Sequence, residues 1–306
     1  MKFIGQAGDN YGDPGNNKMT FTKPIEQLIK QRFSCRNYLS QLMEEQTRQR
    51  LADYAASLQA GPFGARMRFE VVAARERDQK ALKALGTYGF IKGATGFIIG
   101  AMQDDENNLE DFGYLMENII LFATDIGLGT CWLGGTFTKS SFSRRIFRRP
   151  GELVPAVTAL GYCATKPHRI ETVVRNSAGA DRRLAWEQLF FDSTFAVPLS
   201  RQAAGDYATA LEMVRMGPSA SNKQPWRIVK EGNLWHFYLQ RTPGYRERIL
   251  VRLFTVADLQ RIDMGIAMCH FELMAREQGL DGHWEISAPV NEKSDEFTEY
   301  TVSWVG

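Results

Sequence analysis

Arg32, Ser34 and Arg36 place two guanidinium groups and a hydroxyl within five residues, in the run Arg32-Phe33-Ser34-Cys35-Arg36-Asn37-Tyr38. Guanidinium forks match phosphate oxygens, and a helix predicted to begin near Gln41 would add amide donors of the same electrostatic sign. A second candidate is Gly217-Pro218-Ser219-Ala220-Ser221-Asn222-Lys223-Gln224-Pro225-Trp226. Its small residues, hydroxyls and amides suit a backbone that lies against a flat ligand with polar edges. Pro225 forbids helix for Gln224 and starts an extended run over 226–229. The third is Gly127-Leu128-Gly129-Thr130-Cys131-Trp132-Leu133-Gly134-Gly135, which reads as a helix exit, a buried strand and a paired-glycine turn. Without side chains there, a backbone amide can approach a ligand atom closely. Taken singly, these segments also read as a surface ion-pair cluster, an ordinary loop and a plain turn.

Other chemistries lack their residues. His168, His236, His270 and His283 stand apart, without carboxylates or cysteines at ligand spacing, so no metal site is expected. No Ser-His-Asp arrangement, GxSxG elbow, GxGxxG or GxxxxGK[ST] spacing occurs. Cys35, Cys131, Cys163 and Cys269 form no CxxC pair, which fits a reducing cytoplasm better than a disulfide framework.

The elements that must position these groups repeat. Residues 111–132 can be laid on 263–284 at a constant offset of 152. Identities fall at Asp111/Asp263, Gly113/Gly265, Leu121/Leu273, Ala123/Ala275, Gly127/Gly279, Leu128/Leu280 and Trp132/Trp284. Upstream, a helix over about 42–58 leads to Gly61-Pro62 and a strand at 69–72, as a helix over about 199–214 leads to Gly217-Pro218 and the strand at 226–229. Each half thus reads as helix, loop, strand, strand, long helix, strand. The fold class expected is α+β, with mostly antiparallel sheets flanked by helices and two tandem units, 1–185 and 186–306, forming one globular pseudo-dimer.

At 306 residues, 44% hydrophobic and 24% charged, the chain can bury a large core. Its net charge of +2 argues neither for a nucleic-acid surface nor for an acidic one, and no nucleic-acid or membrane partner is expected. The polar 1–17 stretch lacks the apolar core of a signal peptide, and the apolar run 93–102 is half the length of a membrane helix and reads as a buried strand. Residues 103–108 and 139–151 read as polar loops or insertions, with Arg144, Arg145, Arg148 and Arg149 as a solvated helix face.

Together the three segments resemble the FMN-dependent nitroreductase family, over most of the chain. The family's Arg-x-Ser-x-Arg arm maps onto Arg32, Ser34 and Arg36, with Phe33 standing where a second arginine is frequent. Its Pro-Ser-x-x-Asn-x-Gln-Pro-Trp segment, which reaches the flavin from the partner subunit of a homodimer, matches Pro218, Ser219, Ala220, Asn222 and on to Trp226. Its Trp-x-Gly-Gly turn matches Trp132, Leu133, Gly134 and Gly135. The resemblance implies that Arg32, Ser34, Arg182 and Arg183 hold the FMN phosphate and that Arg36 stabilises negative charge at the N1/C2 edge. It also implies that the Gly135 amide faces flavin N5. Tyr88 and Lys92 are secondary candidates for the pyrimidine edge.

The first half carries the arm but only Pro62-Phe63-Gly64-Ala65 in place of the Pro-Ser-x-x-Asn segment. The second carries that segment but Asp192-Ser193-Thr194-Phe195 in place of an arm, and no glycine pair follows Trp284. The implied protein is therefore a monomer holding one FMN. It would take hydride from NAD(P)H to N5 and reduce a nitroaromatic, quinone or related small molecule by a ping-pong cycle. The rival readings are a non-catalytic flavin or nucleotide-binding sensor or storage protein, and a pseudo-dimer without cofactor.

Overall fold

The computed structural model describes residues 21–74, 82, 85–164, 182–244, 257–289 and 295–306. The expected positions in 1–17, His168 and residues 175–181 of the join between the halves lie outside them.

Two long helices form the centre, α3 (Asn108–Asp125) and α7 (Leu259–Glu277), and nearly every residue of α3 is buried. Such a helix, apolar around most of its circumference, must be covered on all sides. Each packs on its own sheet and on the other helix. The first sheet contains β1 (Met67–Ala73), β2 (Gly96–Gln103), β3 (Gly129–Leu133), β4 (Glu152–Leu153) and β5 (Val157–Gly161), in the order β1-β2-β5-β3 with β4 on β2. The second contains β6 (Phe190–Asp192), β7 (Trp226–Glu231), β8 (Leu234–Gln240), β9 (His283–Glu285) and β10 (Thr298–Val305), in the order β6-β7-β8-β10-β9. Without β4 and β6 the two orders coincide, β1 with β7, β2 with β8, β5 with β10 and β3 with β9. All pairings are antiparallel except β6 on β7.

The unbroken apolar run of β2 has a structural cause. Ile98 and Met102 face the helix layer, while Phe97, Ile99 and Ala101 pack with Phe137, Phe142 and Ile146 on the opposite face. A strand buried on both faces has no reason to alternate.

The repeated glycines sit where the helices cross. A Cβ on Gly113 would overlap the backbone of Ile262, and one on Gly265 would overlap the carbonyl oxygen of Glu110. Each partner lies three residues before the other glycine, so the contact has two-fold character. Arg261 closes it with a bidentate pair to Glu110 at 2.6 and 2.7 Å.

The repeated aspartates each hold a loop. Asp111 accepts hydrogen bonds from the amides of Phe63 and Ala65 at 2.9 and 2.8 Å, and Asp263 accepts from Ala220 at 2.9 Å. Burial outweighs these donors and pushes Asp111 up from 3.8 to about 7, while Asp263 is raised well above the usual carboxylate range. An acid raised on folding contributes stability that is fully present below its unfolded value and is lost as pH rises through the folded one. Stability is therefore expected to fall between about pH 4 and 7, by on the order of a few kcal/mol. In Asp111→Asn the melting temperature should depend less on pH between 5 and 8, with the Asp263 contribution remaining. An unchanged slope would remove Asp111 as its source.

Several boundaries differ from the sequence reading. The helix expected near Gln41 is α2 (Glu45–Ser57) and starts later. The backbone between is committed to pairing, with Tyr38 N on Lys92 O, Leu39 N on Tyr162 O and Ala164 N on Asn37 O. That helix terminus consequently adds no donors to the arginine arm. The helix expected over 199–214 is divided at Gly205, φ +58°, into α5 (Arg201–Ala204) and α6 (Ala208–Met216). The arginine-rich helix is α4 (Lys139–Arg145); Arg145 pairs with Glu70 and the Arg149 amide with Glu152.

Candidate functional site

The arm reaches its place from a helix that belongs spatially to both halves. α1 (Ile25–Gln31) inserts Ile25, Leu28 and Ile29 into the core formed chiefly by α6, α7 and the second sheet. Its start is pinned to the ends of both central helices: Thr22 donates twice to the Asp125 carboxylate at 2.7 Å, and Ile25 N donates to Glu277 at 2.8 Å. Asp125 and Glu277 are also separated by the offset of 152.

From α1 the chain runs extended beside β3, with Ser34 bridged to Thr130 and Cys35 N donating to Thr130 O at 2.8 Å. Arg32 turns inward. Its side chain is only 7% exposed, its Nε lies 3.6 Å from Glu117 Oε1, and that Nε has no hydrogen-bond acceptor. Phe33 is 47% exposed. Arg36 is half-buried, with Nη1 on Ser34 O at 3.4 Å, and its backbone oxygen accepts from Lys92 N at 2.9 Å. The secondary candidate Lys92 thus sits beside the arm, whereas the Tyr88 side chain is 55% exposed.

β3 carries Trp132 and Leu133 into the glycine turn. Trp132 donates its indole N–H to Glu117 Oε2 at 2.7 Å, Leu133 is buried, and Gly135 is half-buried. Gly134 lies against Leu259, the first residue of α7; a Cβ there would contact that side chain at 2.5 Å. One helical turn on, Asp263 holds Ala220. The glycine turn of the first half and the 217–226 segment of the second therefore flank one helix end.

That segment is a strained, heavily bonded loop. Ser221, Asn222 and Gln224 all have positive φ, at 52°, 53° and 48°. Such values cost about 1–3 kcal/mol each in non-glycine residues and concentrate at functional sites. The Ser219 hydroxyl accepts from Gln224 N at 2.8 Å, and Gln224 Oε1 accepts from Leu184 N at 2.8 Å. Pro218 precedes them, half-buried. Asn222 Nδ2 donates to Arg182 O at 2.8 Å, and Arg183 donates to Asn222 Oδ1 at 3.3 Å and Met216 O at 3.2 Å. The Arg182-Arg183 pair thus lies against this segment, with the Arg183 guanidinium bracing it.

One expected correspondence is corrected. Residues 192–195 do not occupy the position of an arm: β6 pairs with β7, at the opposite edge of the second sheet from β9, and Phe195 packs edge-on against Phe191 and Tyr238. The true arm lies along β3, the counterpart of β9.

Sequence reasoning missed Glu117 and His270, which lie between the two half-sites. Glu117 and His270 Nε2 are 3.0 Å apart with neither side chain exposed, and His270 Nδ1 contacts Met213 O at 2.9 Å. The polar Glu117-Asn118 pair in the middle of the apolar stretch 112–123 was the available signal. Three of the cysteines, distant in sequence, surround Tyr38, whose hydroxyl is pushed up by burial and then by Cys131, Cys35 and Cys163. Ser303, His236 and Glu231 form a chain at 2.6 and 3.4 Å, although no such arrangement was expected. Ser303 is wholly buried and so offers no nucleophile. Among the described residues, no group of three or more His, Cys, Asp or Glu suits a metal, and no helix is long and apolar enough to cross a membrane.

Two matching sheets flanking a helix pair, with an arginine arm, glycine turn and Pro-Ser-x-x-Asn segment meeting at the seam, define a nitroreductase-like fold. The family profile described as "Putative TM nitroreductase" matches residues 24–275, and the chain belongs to that nitroreductase family. A solved nitroreductase-family structure from Thermotoga maritima covers 96% of the chain with 98% of its own length, at 18% identity and a TM-score of 0.57. A family member from Desulfovibrio desulfuricans, solved in complex with FMN, covers 48% of the chain with 92% of its own, at 22% identity and a TM-score of 0.38. An FMN-dependent nitroreductase from Clostridium difficile covers 46% with 88% of its own, at 22% identity and a TM-score of 0.38. No curated protein matches the chain in sequence.

Proposed function

We propose that the protein is an FMN-dependent NAD(P)H oxidoreductase with one flavin site per chain, built across the seam by an arm from one half and a segment from the other. The observation that carries this reading is Arg32: a guanidinium 7% exposed, 3.6 Å from its nearest carboxylate, with a buried Nε lacking an acceptor. A phosphate oxygen would supply the missing acceptor. The residues present therefore fit the phosphate end of FMN.

Bound there, FMN would supply hydride chemistry at N5 between NAD(P)H and a nitroaromatic, quinone or related acceptor. Arg32, Ser34, Arg182 and Arg183 would bind the phosphate. Arg36, paired through its backbone with Lys92, would face the N1/C2 edge and favour negative charge there. Gly135 would offer its amide toward N5, and Asn222 would close the site from the second half. The exposed Phe33 and Tyr88 would border the acceptor's approach. We further infer that units 1–185 and 186–306 arose by duplication, that the chain acts as a monomer, and that it works in the cytoplasm.

The test is reconstitution of the full chain with FMN, followed by anaerobic addition of NADH or NADPH. The expected result is one flavin per chain, bleached by at least one of the two. Stoichiometry near two would defeat the single-site reading, and bound flavin that neither nucleotide bleaches would favour the non-catalytic binding protein.

A further inference from the structure

Glu117 touches the arm and the strand that feeds the glycine turn, and reaches the other half through His270. Its Oε2 accepts from the Trp132 indole, on the strand that feeds the glycine turn. Its Oε1 meets Arg32 of the arm and His270 of the other half. His270 in turn holds Met213 O near the end of α6, and the same ring nitrogen would lie 3.5 Å from a Cβ on Gly217, where the strained segment begins.

The two-fold relation between the central helices provides an internal control. At an offset of 152, Glu117 corresponds to Cys269 and His270 to Asn118. The pair mirrored across the seam is therefore neutral: Cys269 is fully buried, and Asn118 accepts a hydrogen bond from the Tyr54 hydroxyl of α2. At this one pair of positions the crossing takes neutral groups on the side without the arm and ionisable groups on the side with it; the Trp284 indole on the mirror side is served instead by Glu272, three residues along α7. Burying such groups is costly, and apolar replacements in cores are often neutral or stabilising. Packing at the crossing therefore does not demand His270, while Glu117 also serves the Trp132 indole.

We propose that Glu117 and His270 are the positioning pair that aligns the two half-sites, fixing Arg32 and the Trp132 strand relative to the start of the 217–226 segment. The proposal rests on the flavin reading above. Neither residue is assigned contact with the flavin. Their effect passes through Arg32 and is greatest for a ligand that carries a phosphate.

The test compares FMN and riboflavin, which differ by that phosphate, in fluorescence titrations of the full-length apoprotein. Glu117→Gln is paired with the double variant Glu117→Cys, His270→Asn, which reproduces the neutral mirror pair and so covers the case in which the single variant fails to fold. Melting curves establish that each variant is folded. The expected result is FMN affinity lowered about tenfold or more, with riboflavin affinity changed less than about threefold. Cys269→Ala, on the mirror side, should leave FMN affinity within about twofold. Equal weakening of both flavins, unchanged FMN binding in the folded variants, or an equal loss in Cys269→Ala would overturn the positioning role. A parent protein that binds neither flavin would instead overturn the flavin reading, and this proposal with it.

Discussion

Gly265→Ala is expected to cost the protein about 3 kcal/mol of stability or more, enough to consume much of the 5–15 kcal/mol typical of a folded domain. In an ordinary exposed helix the same change would stabilise by about 1 kcal/mol, because alanine loses less backbone entropy than glycine. Here the added methyl would enter the carbonyl oxygen of Glu110 on the opposing helix. Neither backbone has room to retreat, since both helices are buried along nearly their whole length and each carries a sheet on its other side. Gly113→Ala should produce a similar loss through Ile262. Denaturant midpoints would measure both. A Gly265→Ala protein as stable as its parent would show that the helices can separate without penalty, and the close crossing would then not define the seam.

Arg32→Ala should lower FMN affinity by roughly 10- to 100-fold, the equivalent of a charge-assisted hydrogen bond to phosphate. The apoprotein should keep its stability to within about 1 kcal/mol, an unusual expectation for a charged side chain only 7% exposed. Its basis is that Glu117 retains His270 at 3.0 Å and Trp132 at 2.7 Å after the arginine is removed, so no buried carboxylate is stranded. Fluorescence titration and thermal melting of the same preparation separate the two effects. Intact FMN affinity combined with a large loss of stability would make Arg32 an internal counter-ion to Glu117 and remove it from the phosphate site.

The α+β class and the repeated halves were legible in the residues themselves, and for a physical reason. The identities at offset 152 fall on positions that can hold few other residues: two glycines at a backbone contact, two aspartates gripping loops, and tryptophans on equivalent strands. Trp132 and Trp284 each donate the indole N–H to a buried glutamate, Glu117 at 2.7 Å and Glu272 at 2.6 Å. Local chemistry also made the candidate segments visible, since Pro218, Pro225 and the intervening polar residues announce a shaped turn. The positive φ of Gln224 did not follow from its type or its neighbours. It is held by Ser219 and Leu184, the latter brought up from the join between the halves.

By itself, then, the sequence determined the α+β class, the repetition of its elements and which short runs form shaped turns, because periodicity, turn chemistry and steric need are properties of neighbouring residues. Tertiary structure alone decided that the arm of one half and the segment of the other face a common seam. It also showed that 192–195 is no second arm but the end of a strand at the far edge of its sheet and the turn that follows it. Above all it brought Glu117 and His270 together from helices more than 150 residues apart. The buried Glu117 carries no indication of its partner, because the partner is set by how two helices cross, and that crossing is fixed by the absence of two side chains at Gly113 and Gly265.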